Sequence, residues 1–414
     1  MKRYILFTLA LLTAILLGSC KGAPVSRIKE VYAGTGHVFL LLNDGTLWAA
    51  GYNLYGQLGL GNYTGKDGGI NSRAFVQVME GGTDGAALKG IRGIAAGESH
   101  TLLLKDDGSL WAAGDNSFGA LGLGQTDNPH VRVFTAVKTQ AGEAVNGVTA
   151  IAAGADASFF IKNDGSLWAA GYNHYGNLGL QGDEIIPAFT RVTSAGNGVK
   201  AVAAGNRHTV ILKNDGSVWT TGNNYFGQLG LGDSADRFAF TALSSAGTDN
   251  KALSAGNNHT VILKNNGSLW AAGGNYSGQL GLGDFAQRTG LTQAGLDKAG
   301  GSPMTGIRDI DANGDNTLVM KDDGSFWAAG DNFFSQLGEK NEEFEYARNV
   351  FIPLKTGDAA KKPADGMRFI AAGSRSLYII SQDGNLQAAG SNRYGQLNLG
   401  EDVDDAAAFQ VIYP

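Results

Sequence analysis

Residues 202–233 read VAAGNRHTVILKNDGSVWTTGNNYFGQLGLGD, and this text recurs along the chain in seven copies with small changes. A glycine that follows Asp or Asn marks each copy, at Gly45, Gly108, Gly165, Gly216, Gly267, Gly324 and Gly384. Successive markers lie 63, 57, 51, 51, 57 and 60 residues apart. Periods of this length indicate a repeat architecture, so the fold of one copy decides the fold of the protein.

Each copy contains four short apolar runs separated by turn residues, a pattern typical of strands rather than helices. In the fourth copy this pattern predicts strands a, b, c and d at residues 200–204, 208–212, 217–221 and 238–243. Between strands b and c lies Asn214-Asp215-Gly216. Because Asn, Asp and Gly enter the positive-φ region at low cost, we expect a tight primed hairpin turn with two adjacent positive-φ residues.

Four antiparallel strands in each of seven copies predict an all-β protein, a seven-bladed β-propeller of four-stranded antiparallel blades. One blade cannot bury both of its faces, whereas a closed ring of blades can. One position of strand c holds a tryptophan in six copies and Gln387 in the seventh: Trp48, Trp111, Trp168, Trp219, Trp270 and Trp327. A large side chain at a fixed place in nearly every copy is expected to pack between blades.

Two motifs recur in order. The first has the form V/I-x-A-G-x-x-H-T/S-x-x-L, and the second, G-x-N-x-x-G-Q-L-G-L-G, is complete at residues 51–61, 222–232 and 273–283. Together they resemble the repeat of the regulator of chromosome condensation (RCC1) family over nearly all of residues 28–412, which implies a seven-bladed propeller. The last two copies depart most: Asn313 replaces the strand-a glycine, Ser335 replaces a loop glycine, and Asn398 interrupts the final Gly-Leu-Gly.

The first twenty residues differ from the repeats. Lys2 and Arg3 precede an apolar run at residues 4–17 that is short for a membrane span, and Leu17-Gly18-Ser19-Cys20 follows. This end resembles the lipobox of bacterial lipoproteins. The resemblance implies a signal peptide at residues 1–19, lipidation of Cys20, a tether at residues 20–27 and a propeller at residues 28–414. A plain secretory signal with an accidental cysteine is the alternative.

A lipobox implies a bacterial cell envelope protein that contacts the membrane through its lipid anchor only. Lys21, in place of the Asp that retains enteric lipoproteins, permits delivery to the outer membrane, which we expect in preference to the inner membrane. Cleavage removes Lys2 and Arg3 and leaves 30 basic against 38 acidic residues, a net charge of −8. An acidic chain without basic clusters is a poor candidate for nucleic acid binding.

The direction of the strands predicts which loops share a face. Since antiparallel neighbours alternate in direction, the a–b turn and the c–d loop emerge on one face and the b–c hairpin and the d–a connection on the other. Within the c–d loop, two recurring residue types are expected to be structural. They are the aromatics Tyr55, Phe118, Tyr175, Phe226, Phe334 and Tyr394, and the asparagines Asn53, Asn116, Asn173, Asn224, Asn275, Asn332 and Asn392.

The two positions that flank this asparagine vary between copies, as does the a–b turn. Positions that the fold does not dictate are free to be set by a partner, and rigid loops often bind. The candidate partner-binding residues are therefore Tyr52, Leu54, Asp115, Tyr172, His174, Tyr225, Tyr276, Phe333, Arg393, Arg207 and Arg375. Ordinary loop drift would produce similar variation, so both readings stay open.

Strand b begins with a histidine in four copies, at His37, His100, His208 and His259. Histidines on different blades lie too far apart to share one metal ion, so we expect each ring to bond local backbone instead. The acidic hairpins lack the ligand spacing of calcium loops. The sequence indicates no catalytic residues, no metal and no cofactor.

Three functions remain from the sequence. The first is a non-enzymatic, lipid-anchored scaffold that binds a protein partner, of unknown identity, on the c–d loop face; a secreted bacterial propeller that inhibits β-lactamases is a distant precedent. The second is guanine-nucleotide exchange on a small GTPase, which the resemblance to the eukaryotic family implies and the signal segment opposes. The third is a carbohydrate-binding propeller or an enzyme that uses the central channel.

Overall fold

The computed structural model describes residues 28–61, 71–83, 85–139, 142–182, 184–340, 346–355, 369–380, 384–400 and 403–413. The predicted signal peptide, Cys20 and the tether lie outside these residues. The described chain forms seven sheets, each of four consecutive antiparallel strands. This confirms the predicted all-β, seven-bladed propeller. In these ranges no helix has the length and apolar character needed to cross a membrane.

The blades are numbered here in chain order, and the four strands of each follow the order a, b, c, d. Blades 1 and 2 contain β1 (Ile28–Ala33), β2 (His37–Leu42), β3 (Leu47–Tyr52), β4 (Asn71–Gln77), β5 (Ile91–Ala96), β6 (His100–Lys105), β7 (Leu110–Asp115) and β8 (His130–Ala136). Blades 3 and 4 contain β9 (Val148–Ala153), β10 (Ala157–Lys162), β11 (Leu167–Tyr172), β12 (Ile185–Arg191), β13 (Val199–Ala204), β14 (His208–Lys213), β15 (Val218–Gly222) and β16 (Arg237–Ala242).

Blades 5 and 6 contain β17 (Asn250–Ala255), β18 (His259–Lys264), β19 (Leu269–Gly273), β20 (Arg288–Gln293), β21 (Ile307–Asn313), β22 (Asn316–Lys321), β23 (Phe326–Asp331) and β24 (Ala347–Pro353). Blade 7 contains β25 (Phe369–Ala372), β26 (Ser376–Ile380), β27 (Leu386–Ser391) and β28 (Asp405–Tyr413). Single 3-10 turns, Thr193–Ala195 and Ser244–Ala246, follow the d strands of blades 3 and 4.

The b–c hairpin is tight but is not the primed turn that the sequence suggested. In blade 4 the Lys213 N–H donates to the Ser217 carbonyl at 2.9 Å, and the Gly216 N–H donates to the Lys213 carbonyl at 3.0 Å. Gly216 has φ 82°, whereas Asp215 is not in the positive-φ region. This is a type I turn followed by a left-handed glycine, the common three-residue hairpin loop. The Asp215 side chain holds it, because its Oδ1 accepts from the N–H and the hydroxyl of Ser217 at 2.9 and 2.7 Å.

The tryptophans lie between blades, as expected, but they are half-buried and not part of the innermost core. Trp219 packs on a cluster that includes Phe159 of blade 3. Its Nε1 donates to the Ser217 hydroxyl at 3.1 Å, and the Lys213 Nζ atom lies 4.0 Å from the ring centroid. The Asp-Gly-Ser hairpin therefore also orients the ring that covers the neighbouring blade.

The histidines bond across blades, so the expectation of a local backbone partner is wrong. The Nε2 atom of each ring lies close to a hydroxyl oxygen of the next blade: His37 to Thr101 at 3.0 Å, His100 to Ser158 at 2.9 Å, His208 to Thr260 at 3.0 Å and His259 to Thr317 at 2.9 Å. The partner residue is the second residue of strand b in the following blade. These pairs tie successive b strands together.

The turn glycines allow the inner strands to approach each other closely. A methyl group on Gly34 would lie 2.6 Å from the carbonyl oxygen of Gly97, and a methyl group on Gly373 would lie 3.0 Å from that of Gly34. Blade 7 thus meets blade 1 through the same contact that joins blades 1 and 2. The recurring Ala-Gly pair is explained by this stacking around the ring.

The ring closes without a shared sheet, a question that the sequence left open. β1 pairs with β2 of its own blade, and β28 pairs with β27. Side chains make the seam instead: the rings of Phe75 and Tyr413 have centroids 6.2 Å apart, and Ile28 packs in one cluster with Tyr378 of blade 7.

Candidate binding surface

The c–d loops and the a–b turns share one face, which we call the loop face. Each loop begins with a backbone bond to the a–b turn of its own blade. The N–H groups of Tyr52, Asn223 and Ser391 donate to the carbonyls of Gly36, Arg207 and Arg375, each at 2.8 Å. The same bond occurs in all seven blades, with donors Tyr52, Asp115, Tyr172, Asn223, Gly274, Asp331 and Ser391. This confirms the shared face that strand direction predicted.

The recurring asparagine holds the loop from inside. In blade 4 the Oδ1 atom of Asn224 accepts from the Leu229 N–H at 3.0 Å, and its Nδ2 donates to the Asp233 carbonyl at 2.9 Å. Asn224 is fully buried. The equivalent Oδ1 bond to the leucine N–H five residues on is present in every blade. The predicted structural role of these asparagines is confirmed.

The end of the loop is fixed to the next blade. The Gly232 N–H donates to the Thr289 carbonyl of blade 5 at 2.9 Å. A methyl group on Gly59 would collide with the ring of Phe134 in the following blade. At the two places where another residue replaces a loop glycine, the backbone still has the positive φ angle that the glycines have. These residues are Ser335, with φ 59°, and Asn398, with φ 55°. The loops are therefore rigid, and the side chains that flank the asparagine are what they display.

The candidate residues divide by exposure. Seven are exposed: His174, Arg207, Tyr225, Tyr276, Phe333, Arg375 and Arg393. The other four are half-buried: Tyr52, Leu54, Asp115 and Tyr172. Tyr225 and Tyr276 are 70% and 69% exposed, which is unusual for aromatic side chains in rigid loops.

Blades 3 and 4 bring three candidates together. The Arg207 guanidinium lies 4.7 Å from the ring centroid of Tyr175 and donates to its hydroxyl at 3.0 Å. The His174 ring lies 4.8 Å from Tyr175 and 5.9 Å from Tyr172, centroid to centroid. His174 Nδ1 also pairs with Glu184 at 2.5 Å. An arginine that is already held against an aromatic ring loses little further side-chain entropy when it binds a partner.

Two other groups form around recurring aromatics. Tyr225 and Tyr276 both contact Phe226, with centroids 4.9 and 5.9 Å away. Arg375 and Arg393 lie 5.3 and 5.1 Å from the ring of Phe334, and Phe333 packs against the same ring at 5.0 Å. The recurring aromatics Phe226 and Phe334 therefore also contact exposed variable side chains, both from their own blade and from the next one.

The remaining candidates support the structure of the loops. Tyr52 packs between Tyr394 of blade 7 and Tyr55 of its own blade, at 4.8 and 6.0 Å, and burial raises its pKa to about 12. The Asp115 carboxylate accepts from the Ser117 N–H and hydroxyl at 2.8 and 2.6 Å. Leu54 is half-buried.

The structure adds exposed aromatics that the sequence analysis missed. Six of the nine exposed large hydrophobic residues in the described ranges lie at the loop-face end of blades 4 to 6. We call this set the aromatic sector: Tyr225, Phe238, Tyr276, Phe285, Phe333 and Tyr346. Phe238, Phe285 and Tyr346 lie in or just before a d strand and do not recur between copies, so no repeat position marked them.

A small acidic group lies on the loop face in blades 2 and 3. Burial, together with the neighbouring carboxylates of Glu98 and Asp115, raises the pKa of Asp156 to about 6. In the part of the chain that the structure describes, no three His, Cys, Asp or Glu side chains lie close enough together to hold a metal ion.

A rigid ring of seven sheets with variable side chains on one face defines a repeat-built propeller scaffold. The chain belongs to the RCC1-like domain family, whose model matches residues 19–294. This agrees with the resemblance inferred from the two motifs.

Several relatives share part of the sequence. The ultraviolet-B receptor UVR8 of Arabidopsis thaliana is 34% identical over 267 residues, which is 62% of this chain and 56% of that protein. Protein RCC2 of Homo sapiens is 30% identical over 51% of this chain and 42% of its own length. The secretion-regulating guanine nucleotide exchange factor of Bos taurus is 31% identical over 56% of this chain and 49% of its own. The chain thus spans about half the length of these relatives.

Solved structures share the fold at low identity. Human WBSCR16 matches with a TM-score of 0.73 at 19% identity, over 89% of this chain and 94% of that one. Yeast RCC1 (Prp20), in its structure bound to Kap60, matches with a TM-score of 0.71 at 21% identity, over 98% of this chain and 91% of that one.

Proposed function

We propose that the protein is a lipid-anchored, extracytoplasmic scaffold that holds a protein partner on the aromatic sector without a catalytic step. The observation that carries the proposal is the concentration of exposed aromatics on three consecutive blades. Soluble proteins rarely leave such side chains exposed together unless they form an interface, and aromatics with arginine dominate binding energy.

The charges around the sector fit a protein interface. Arg207 belongs to the a–b turn of blade 4 and lies on Tyr175 of blade 3, and Arg375 and Arg393 lie against Phe334, the ring on which Phe333 packs. An apolar centre with a charged rim is the usual anatomy of a protein–protein contact. A partner with an apolar patch bordered by carboxylates would match both parts.

The rigid loops favour this function energetically. Each loop is bonded to its own a–b turn and to its internal asparagine. The loops of blades 1, 2, 4 and 5 also donate a backbone N–H to a carbonyl of the following blade. Little ordering is therefore required when a partner binds, so more of the contact energy appears as affinity.

Quantitative capture from a washed envelope fraction tests the surface. The bait would be residues 21–414, as wild type and as the triple variant Tyr225→Ala, Tyr276→Ala, Phe333→Ala. We expect the triple variant to lose at least about tenfold in captured partner, because several anchors that each contribute about 1 kcal/mol or more are removed. The matched control is Val411→Ala, which truncates a 54% exposed side chain at the far end of β28. Equal amounts of partner captured by the wild type and the triple variant would rule out the aromatic sector as the partner-binding surface.

The anchor needs a separate experiment. We expect the wild-type chain to sediment with bacterial membranes and a Cys20→Ala variant to be released, because only the former can carry acyl chains. Cytosolic recovery of the wild type would contradict the envelope location and, with it, the proposed environment of the partner.

A second candidate is regulation of a small GTPase. Two relatives carry this in their names, the secretion-regulating guanine nucleotide exchange factor of Bos taurus and the X-linked retinitis pigmentosa GTPase regulator of Mus musculus, 32% identical over 153 residues. Catalysed release of labelled GDP from a bacterial small GTPase would support this candidate. If the protein does not accelerate GDP release and the wild-type chain sediments with membranes, the anchored scaffold is favoured.

A further inference from the structure

The central channel has two chemically different ends. It encloses about 540 Å³ and is lined by the a strands. A ring of seven alanines forms its middle: Ala33, Ala96, Ala153, Ala204, Ala255, Ala312 and Ala372. At the loop face the lining is polar and includes Glu98, Asn206 and Asn257, whereas the opposite end is lined by Lys200, Lys251 and Arg308. We call that opposite end the basic mouth.

The basic mouth arises from one register position. The second residue of strand a is basic in five of the six blades where it is described, at Lys29, Arg92, Lys200, Lys251 and Arg308, with Thr149 in blade 3. Arg368 has the same place in the sequence of blade 7 but lies outside the described residues. Of these, Lys200, Lys251 and Arg308 line the channel. They are about fifty or more positions apart in the chain, so the closed ring forms a basic cluster that the sequence did not show.

Contacts at the mouth link these side chains across blades. The Lys251 Nζ atom donates to the carbonyl oxygen of Arg308 in blade 6 at 2.9 Å. The Arg92 guanidinium donates to the carbonyl oxygen of Val148 in blade 3. The Lys251 side chain thus reaches from blade 5 to blade 6 at the channel lining, and Arg92 makes a similar contact from blade 2 to blade 3.

The carboxylates in this part of strand a do not balance the charge. Glu30 follows Lys29 and Asp309 follows Arg308 in their strands. Of these four residues only Arg308 and Asp309 line the channel, together with Lys200 and Lys251. Glu30 accepts from the Tyr32 hydroxyl, and Asp309 accepts from the Ile310 N–H at 2.9 Å. Deeper in the wall, the carboxylate of Asp311 accepts from the N–H groups of Ala312 and Ala372 at 2.9 and 3.1 Å. The lining of this end therefore holds three basic side chains, Lys200, Lys251 and Arg308, against the one carboxylate of Asp309, in a protein whose net charge is −6.

We propose that the basic mouth binds a small polyanion that carries several phosphate or sulfate groups. Ammonium and guanidinium groups form strong charge-assisted bonds to phosphate oxygens. Several cations around one axis can each bond a different anionic group of the same molecule, so they suit a polyanion better than they suit an ion with a single anionic group. A cavity of about 540 Å³ is in the range of about 300–1,000 Å³ that small-molecule sites occupy. This site is on the face opposite the aromatic sector and is independent of the proposed function.

Calorimetric titration of the purified full chain with sodium tripolyphosphate tests the proposal. We expect binding at low ionic strength that weakens as salt is raised, since salt screens exposed charges. The double variant Lys200→Ala, Lys251→Ala should bind about tenfold or more weakly, because two charge-assisted contacts are lost. Lys200→Arg, which keeps the charge, should bind like the wild type.

Lys298→Ala is the matched control, because Lys298 is exposed in the d–a connection of blade 5, on the same face but outside the channel lining. If thermal melts show that the double variant is unfolded because it has lost the bond from Lys251 to the Arg308 carbonyl, the single variant Lys200→Ala is used in its place. Equal affinity in wild type and mouth variants, or no binding by the wild type at low salt, would overturn the proposal.

Sedimentation of residues 21–414, which lack Cys20 and therefore cannot be held by a lipid anchor, with vesicles of phosphatidylcholine and phosphatidylglycerol identifies the source of the anion. Binding of tripolyphosphate without vesicle binding indicates a soluble polyanion. Sedimentation of the wild type that the double variant loses indicates lipid headgroups. Either of these two results supports an anion site at the basic mouth. Equal sedimentation of the wild type and the double variant counts against that site.

Discussion

The Nε2 atom of His208 lies 3.0 Å from the Oγ1 atom of Thr260 in the following blade. Thr260 itself donates to the carbonyl oxygen of Gln228 at 2.7 Å, so its proton is used and His208 must be the donor. The Nδ1 atom of His208 is buried without a partner. A second proton there would be an unsatisfied buried donor. Burial accordingly lowers the pKa of His208 to about 4, and that of His259 to about 3.

This arrangement predicts destabilisation in acid. In the unfolded chain a histidine takes up a proton near pH 6.5, whereas folded His208 stays neutral to about pH 4, so stability falls as pH drops through this window. The effect is about 2 kcal/mol for one histidine at about pH 5. Asp156 and Asp309 oppose it, since burial raises the pKa of each to about 6 and their contribution to stability grows as pH falls.

The variant His208→Asn isolates one ring, and the chain already has Asn316 at this position in blade 6. We expect the loss of unfolding free energy between about pH 7 and pH 5 to be about 2 kcal/mol smaller than in the wild type, measured by urea denaturation. Identical pH dependence in both proteins would show that His208 does not titrate on unfolding in this range.

Stacking of the a–b turns predicts that their glycines cannot be replaced. A methyl group on Gly205 would lie 2.5 Å from the Gly256 carbonyl oxygen and would also meet the His208 ring. We expect Gly205→Ala to lower the unfolding free energy by about 1–3 kcal/mol, the usual cost of overpacking. Gly93→Ala is the control, because its methyl group would have no atom within 4 Å and this strand position is alanine in blades 3 to 5. Equal melting temperatures for the two variants would contradict the stacking.

The loop asparagine predicts a local effect on hydrogen exchange. Asn224→Ala leaves the buried Leu229 N–H without its acceptor, which should cost about 1–3 kcal/mol. The Leu229 amide should then exchange faster than in the wild type. Ser234→Ala, an exposed change in the same loop, should alter neither quantity. Unchanged exchange at Leu229 in the Asn224 variant would mean that the loop is held by its other bonds alone.

Ring closure through side chains predicts that the seam opens locally. Phe75→Ala removes the half-buried ring that packs on Tyr413, and we expect faster exchange in β28 than in β14, which is on the far side of the ring. The expected loss of stability is about 2 kcal/mol or less, because the ring is partly exposed. Phe238→Ala, at a 53% exposed position away from the seam, is the control. A uniform rise in exchange over all blades would indicate one cooperative unit instead of a local seam.

Local features of the sequence predicted local features of the structure. The strands of the fourth copy are within one or two residues of their predicted bounds, and each loop asparagine bonds as expected. The hairpin was predicted less well, because the Asp215 side chain stabilises an alternative turn through Ser217. Propensity indicated that a tight turn forms but did not indicate which turn type the side chains select.

The candidate site was predicted only in part. Tyr225, Tyr276 and Phe333 are exposed on the loop face, but Tyr52 and Tyr172 are used for packing between blades. Variation between copies marks both kinds of residue alike, because a residue that packs on a neighbouring blade must also match that neighbour. Phe238 and Phe285 carry no repeat signal and were found only by their exposure.

The sequence by itself determined the number of blades, the four strands of each and the face on which the variable loops emerge, since periodicity and strand direction are local properties of the chain. The tertiary structure decided which residues meet: His208 with Thr260, Phe75 with Tyr413, and the basic residues Lys200, Lys251 and Arg308 at one end of the channel. The physical reason is that these contacts join residues about fifty or more positions apart, and their distances are set by how the blades pack around the axis rather than by any local preference of the backbone.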